Sequence, residues 1–198
     1  GPLGQPTEIE NFGTVVSVGG GIGTAVALPI AQAMQEAGNK VIGISGSRTK
    51  DLLILQQELQ STCDELLVST DDGTFGIHGY VTNVLETVIQ KEEKVDMVLA
   101  VGPLPMMKAV CDLTKKHGIK TIVSMNPIMI DGTGMCGGCR LSVAGETKFA
   151  CVDGPEFDGH EVDWDLFDSR QKMYLEAESR ARELFPQTPP AEGEPRRL

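Results

Sequence analysis

The chain has 198 residues, 40% hydrophobic and 23% charged, enough for one globular core with a small appendage. Its 17 basic against 28 acidic residues leave a net charge of −11, which excludes a nucleic-acid binder built on clustered Lys and Arg. No apolar run reaches the ~18 residues of a membrane span and no signal peptide is visible, so a cytoplasmic protein with no membrane span is expected.

Gly1-Pro2-Leu3-Gly4 reads as the scar of a cleaved tag, and residues 1–12 as scar and linker, so the chain reads as a fragment of a longer protein. Residues 14–18 are β-branched and bounded by glycine, which predicts a buried strand. The glycines of residues 19–23 follow, then an Ala-rich helix over 24–37 with Pro29 inside it, where a kink or a late start is expected. The alternation continues with strands at 40–45, 65–69, 95–101 and 120–125 and helices at 51–60, 80–90 and 106–117. Five strands alternating with helices predict an α/β fold, a five-stranded parallel Rossmann-like sheet, over residues 13–127. Residues 128–162 form a glycine- and cysteine-rich module with little core of its own, a gap that a metal centre fills. A helix is expected within 163–185, with Leu166, Met173, Ala177, Ala181 and Leu184 on one face, and a Pro-rich disordered tail over 186–198.

The first strand–helix junction carries a G-x-G at Gly21 and Gly23. The unpaired N–H groups and positive dipole end of a helix suit a pyrophosphate, and only glycine lets the backbone approach that closely. Val26 stands where the strict dehydrogenase fingerprint places its third glycine or alanine. Three further loops leave the ends of strands at the same edge. Gly19, Gly20, Gly21, Ile22, Gly23, Thr24, Ser47, Arg48, Asp72, Gly73, Gly102 and Pro103 are therefore the candidate nucleotide contacts, against the alternative that all four loops are ordinary turns. No acidic residue ends the second strand; Ser47 and Arg48 stand there, which leans towards NADP without settling NAD against NADP.

Five cysteines make no disulfide framework: Cys63 and Cys111 are isolated, and Cys136, Cys139 and Cys151 cluster. Asp131 lies four residues before the C-x2-C, so the run reproduces the plant-type ferredoxin spacing with Asp in the first slot. This favours a [2Fe-2S] cluster on Asp131, Cys136, Cys139 and Cys151. The rival is structural zinc on the cysteines with Asp131 or His160, in a non-enzymatic nucleotide-binding module. No hydrolytic nucleophile or catalytic acid–base pair stands out, so no catalytic residue is assigned.

The ordered motifs Gly19-Gly20-Gly21-Ile22-Gly23-Thr24-Ala25, Gly46-Ser47-Arg48-Thr49, Thr70-Asp71-Asp72-Gly73-Thr74, Gly102-Pro103-Leu104-Pro105-Met106 and Asp131-Gly132-Thr133-Gly134-Met135-Cys136-Gly137-Gly138-Cys139 resemble the ferredoxin–NADP reductase superfamily. Within it, they are similar to the small subunits of the NADH-dependent reduced ferredoxin:NADP oxidoreductases, or sulfide dehydrogenases, with the dihydroorotate dehydrogenase electron-transfer subunits as cousins. The cousins carry Cys in the first cluster slot, whereas Asp131 matches the first group. The resemblance implies hydride exchange between NAD(P)H and an FAD on an N-terminal barrel that this chain lacks. It then implies single-electron transfer through [2Fe-2S] to a larger flavin/iron–sulfur partner subunit. The chain alone is accordingly expected to be inactive.

Overall fold

β1 (Thr14–Gly20) forms where the sequence is most β-branched and runs through the middle of the molecule, with Val15, Val16 and Val18 buried. A computed structural model describes residues 3–185 of the chain. After β1 come a 3-10 turn at Gly21–Gly23, α1 (Thr24–Glu36), β2 (Lys40–Ser47) and α2 (Gln56–Thr62). β3 (Glu65–Thr70), β4 (Ile77–His78), α3 (Val81–Lys91), β5 (Met97–Val101), α4 (Leu104–Lys116) and β6 (Lys120–Ser124) follow. The remainder supplies β7 (Arg140–Val143), β8 (Glu146–Phe149), β9 (Glu156–Asp158), α5 (Trp164–Gln171) and α6 (Leu175–Leu184).

The five expected parallel strands are present in the order β3-β2-β1-β5-β6, so strand order reverses between β1 and β5. Two short edge strands extend the sheet to seven: β4 parallel to β3, and β9 antiparallel to β6. Alternate residues feed opposite faces, as a period of two requires. Val15, Val41 and Leu99 pack with α1 and α2, while Val16, Ile42 and Ile44 pack with α3 and α4. α1 starts at Thr24 and passes through Pro29 to Glu36, so the helix does not start late.

The cysteine-rich module has more structure than its composition suggests. β7 and β8 pair as an antiparallel hairpin whose turn residues, Ala144 and Gly145, both have positive φ. Leu141, Val143, Ala150 and Val162 join Trp164 and Phe167 in the same apolar cluster as the α3–α4 face. The module thus shares the core of the parallel sheet: a Cβ on Gly159 would lie 2.3 Å from Cys111 Sγ of α4.

The single C-terminal helix of the sequence reading is two helices, broken between Gln171 and Leu175. Trp164 and Phe167, edge to face at 6.5 Å, are the residues that dock. The expected apolar stripe lies in solvent, with Leu166, Met173 and Leu184 at 45%, 54% and 63% exposure, and α6 buries nothing. The expected disordered tail, 186–198, lies outside the described residues. Towards the N-terminus, Gln5 N–H donates to Gly154 O (2.7 Å), Thr7 to Glu156 (2.9 Å) and Asn39 Nδ2 to Glu10 O (2.7 Å), so the expected linker straps the module to the sheet.

Candidate nucleotide cleft and cluster loop

A cleft of about 730 Å³ opens at the carboxyl edge of the sheet, beside the point where strand order reverses. Doubly wound sheets bind ligands at such a point, because neighbouring loops diverge there to opposite faces. Gly20 at the end of β1, Gly21 in the 3-10 turn, Ser47 at the end of β2, Arg48 just beyond it and Pro103 before α4 line it. Those five were named from sequence. Asp71, Tyr80, Val81 and Met106 also line it and were not among the expected contacts, although Met106 closes the Gly102–Met106 motif.

The glycines at this rim do different jobs. Gly21 has φ +55° and open space where a Cβ would stand, so its backbone faces the cleft unobstructed. A Cβ on Gly23 would lie 2.3 Å from Val101 O; on Gly20, 2.3 Å from Met106 Sδ; on Gly102, 2.7 Å from Met106 Cε. Those three allow the β1 and β5 ends to close up. Gly19 is tight against Thr24, itself buried, and Ile22 is 82% exposed. Gly19, Ile22, Gly23, Thr24 and Gly102 therefore shape the rim without lining the cleft. α1 begins with no side-chain cap and no acidic residue in its first turn, which leaves its N–H groups and dipole available to an anion.

The loops beyond β2 and β3 brace one another. Asp71 N–H donates to Ser47 O (3.0 Å) and Asp72 N–H to Arg48 O (3.2 Å), while the Ser47 hydroxyl donates to Thr49 O (2.6 Å). Asp72 accepts from the Thr74 hydroxyl (2.7 Å) and Thr74 N–H (3.0 Å), bonds that hold its carboxyl below the usual carboxylate range. Gly73, with φ +72°, packs beneath His78. Asp72 and Gly73 hold a turn and stand outside the cleft lining, which Asp71 joins.

In the cysteine module the buried pair is preassembled. The Cys139 thiol donates to Cys151 Sγ at 3.3 Å, and the two side chains sit at 2% and 8% exposure. That hydrogen bond, burial and the negative charge of Asp131 all push the Cys151 thiol up. Two thiolates beside a carboxylate need a cation to be stable, which is what a bound metal centre supplies. Cys136 is exposed, and its sulfur accepts from Gly138 N–H at 3.3 Å. Asp131 is turned onto its own loop: Oδ1 accepts from Thr133 N–H (2.5 Å) and the Thr133 hydroxyl (3.1 Å), and Oδ2 from Cys136 N–H (2.9 Å). The Thr133 backbone bond first, then the bond with Cys136, hold the Asp131 carboxyl below the usual range.

Three thiols and an ionised carboxylate fit an iron–sulfur or zinc centre in donor chemistry. Among the described residues, no three His, Cys, Asp or Glu side chains converge on a single-ion site. A two-iron cluster shares its ligands between two irons and needs no such point. His160 points elsewhere, its Nε2 3.0 Å from the Thr114 hydroxyl of α4. Burial pushes the Cys63 and Cys111 thiols up to about 11 and about 12, the behaviour of small apolar core residues.

Residues 126–163 match the family model of the iron–sulfur cluster binding domain of dihydroorotate dehydrogenase B. The chain is 51% identical over 188 residues to a dihydroorotate dehydrogenase B (NAD(+)) electron transfer subunit homolog of Thermotoga maritima, covering 95% of this chain and 66% of that one. It is 33% identical over 165 residues to the corresponding electron transfer subunit of Clostridium perfringens, with coverages of 83% and 65%. A chain in the structure of the NADH-dependent reduced ferredoxin-NADP oxidoreductase, described for flavin-based electron bifurcation, superposes with a TM-score of 0.86 at 48% identity, covering 94% of this chain and 67% of that one. The chain spans just under two thirds of the length of the curated relatives it matches first, 66% and 64%.

Proposed function

Because the chain belongs to the ferredoxin–NADP reductase superfamily, in the branch of the dihydroorotate dehydrogenase B electron-transfer subunits and the NADH-dependent reduced ferredoxin-NADP oxidoreductase, we propose that it is the nucleotide- and cluster-binding part of an oxidoreductase electron-transfer subunit. A pyridine nucleotide lies in the cleft, its pyrophosphate against Gly21 and the open N-terminus of α1. Arg48 and Ser47 receive the adenosine side, and the nicotinamide reaches towards Pro103. A nicotinamide held there would supply a hydride to a flavin. Cys136, Cys139 and Cys151 with Asp131 hold the cluster. When bound, a [2Fe-2S] cluster accepts and releases electrons singly, a chemistry no side chain here supplies. The acceptor is a larger flavin/iron–sulfur partner subunit. A cytoplasmic setting suits five free cysteines, and no helix among the described residues is long and apolar enough to cross a membrane.

The observation that carries this reading is the coexistence of two sites on one core: a cleft of about 730 Å³ at the strand-order reversal and a buried Cys139–Cys151 pair at 3.3 Å. Structural zinc on the same cysteines is the rival reading, and the absence of three converging donor side chains among the described residues counts against it. Titration with NADH and NADPH, followed by backbone amide shifts, tests the cleft. Perturbations should centre on Gly20, Gly21, Ser47, Arg48 and Pro103, and a response that avoids them sinks the assignment.

A further inference from the structure

We propose that Arg140 and Arg170 form a guanidinium clamp on the cluster loop that fixes its two central peptides and favours the reduced state of the bound centre. This rests on reading Asp131, Cys136, Cys139 and Cys151 as cluster ligands.

Gly137 and Gly138 are the two residues between Cys136 and Cys139. Arg140 Nη1 donates to Gly137 O at 3.0 Å, and Arg170 Nη2 donates to Gly138 O at 3.1 Å. Both carbonyls of the C-x2-C turn are thus held by cations, one from β7 and one from α5, thirty residues further along the chain. With its carbonyls engaged on one side, the turn keeps its N–H groups for sulfur, as the Gly138 N–H bond to Cys136 Sγ (3.3 Å) illustrates.

The core fixes the second arm. Arg170 lies three residues beyond Phe167, which is 1% exposed, and α5 is further pinned by the Trp164 Nε1 bond to Gly159 O (3.0 Å). The two arginines share a hollow of about 200 Å³ with Cys136 and Gly138. Every ion pair among the described residues has Lys as its cation, so no carboxylate neutralises either guanidinium there.

Three thiolates and a carboxylate make the ligand set strongly negative. Uptake of one electron breaks and forms no bond and adds one further negative charge. Two uncompensated cations beside the loop stabilise that added charge, as charges near iron–sulfur sites do.

The test uses the whole chain, prepared anaerobically with iron and sulfide, as wild type, Arg170→Gln, Arg170→Lys and Arg140→Gln. Iron content and circular dichroism are measured first, then the midpoint potential by a dithionite titration read in the visible. Arg170→Gln and Arg140→Gln are each expected to lower the reduced-to-oxidised ratio at a fixed ambient potential about tenfold, or about 59 mV for one electron. Arg170→Lys, which keeps the charge, should recover most of that. If Arg170→Gln sheds iron with an unchanged fold, the loss supports the positional half of the clamp, and Arg140→Gln then reads the electrostatic half. Wild-type midpoints in the Gln variants that retain iron overturn the clamp and leave the cluster reading standing. A wild-type chain that takes up no iron and sulfide removes the cluster reading, and the clamp with it.

Discussion

The two glycine-rich loops of this protein draw on packing and on local bonds in different proportions. At the cleft rim, neighbours press on the backbone: a Cβ on Gly23 would strike Val101 O at 2.3 Å and one on Gly46 would strike Val81 Cγ1 at 2.2 Å. In the cluster loop the crowding is uneven: a Cβ on Gly132 or Gly137 would meet nothing nearer than 3.5 Å and 3.6 Å, whereas one on Gly134 would lie 2.7 Å from Val152 Cγ2. Gly132 and Gly137 take positive φ, and Asp131 closes its end of the loop through its own side chain. The rim is formed by packing before any ligand arrives. The Asp131 end of the cluster loop is held by exposed local bonds that water competes for, while Arg170 and the buried Cys139–Cys151 pair tie its other end to the core, and a bound centre would complete it.

The sharpest way to break that contrast is at Asp131, where the expected effect is all or none. As a ligand, Asp131→Ala should lose the centre, while Asp131→Cys should keep it with a changed visible spectrum, because sulfur replaces oxygen. If Asp131→Asn and Asp131→Ala both retain iron with an unaltered spectrum, Asp131 is only a turn cap. The pH dependence carries a defined sign. The folded-state carboxyl titrates below its unfolded value, so its stabilisation of the loop is fully present above about pH 4 and is lost as pH falls through the folded value. Iron retention should follow that direction.

The rim offers a graded test. Gly23→Ala forces a methyl group onto Val101 O and should cost about 1–3 kcal/mol, or roughly 2–4 °C of melting temperature per kcal/mol. Gly21→Ala has open space and suffers only the left-handed backbone penalty of about 1–2 kcal/mol, yet should weaken nucleotide binding more. Melting curves and nucleotide titrations of the pair that come out the other way round would show that packing does not set this rim.

The smallest effect concerns the thiols. With thiols pushed up to about 11 and about 12, Cys63 and Cys111 should resist iodoacetamide at pH 8, while exposed Cys136 reacts in metal-free protein. Peptide mass spectrometry reads the order of labelling, and early modification of Cys63 in folded protein contradicts its place in the core.

What sequence reading recovered follows the same division. Strands with β-branched runs, such as Thr14–Gly20, announce themselves because both faces are buried. Ile77–His78 and Glu156–Asp158 are too short to carry a period. The β7–β8 hairpin hides because Ala144, rather than Asn or Gly, takes the first turn position. The break before α6 escaped because the apolar repeat from Leu166 to Leu184 looks continuous, although Trp164 and Phe167 do the docking. Of the expected contacts, Gly20, Gly21, Ser47, Arg48 and Pro103 line the cleft, but Met106 reaches it from α4 and Tyr80 from the N-cap of α3, placements that no local pattern encodes.

The central claim, that one core carries a nucleotide cleft and a redox cluster, is tested most directly by iron, zinc and acid-labile sulfide analysis with a visible spectrum of anaerobically purified or reconstituted protein. About two irons and two sulfides per chain, with visible absorption that bleaches on reduction, is the expected result. A colourless chain holding about one zinc and no sulfide would contradict it and make the cysteine loop a structural clip.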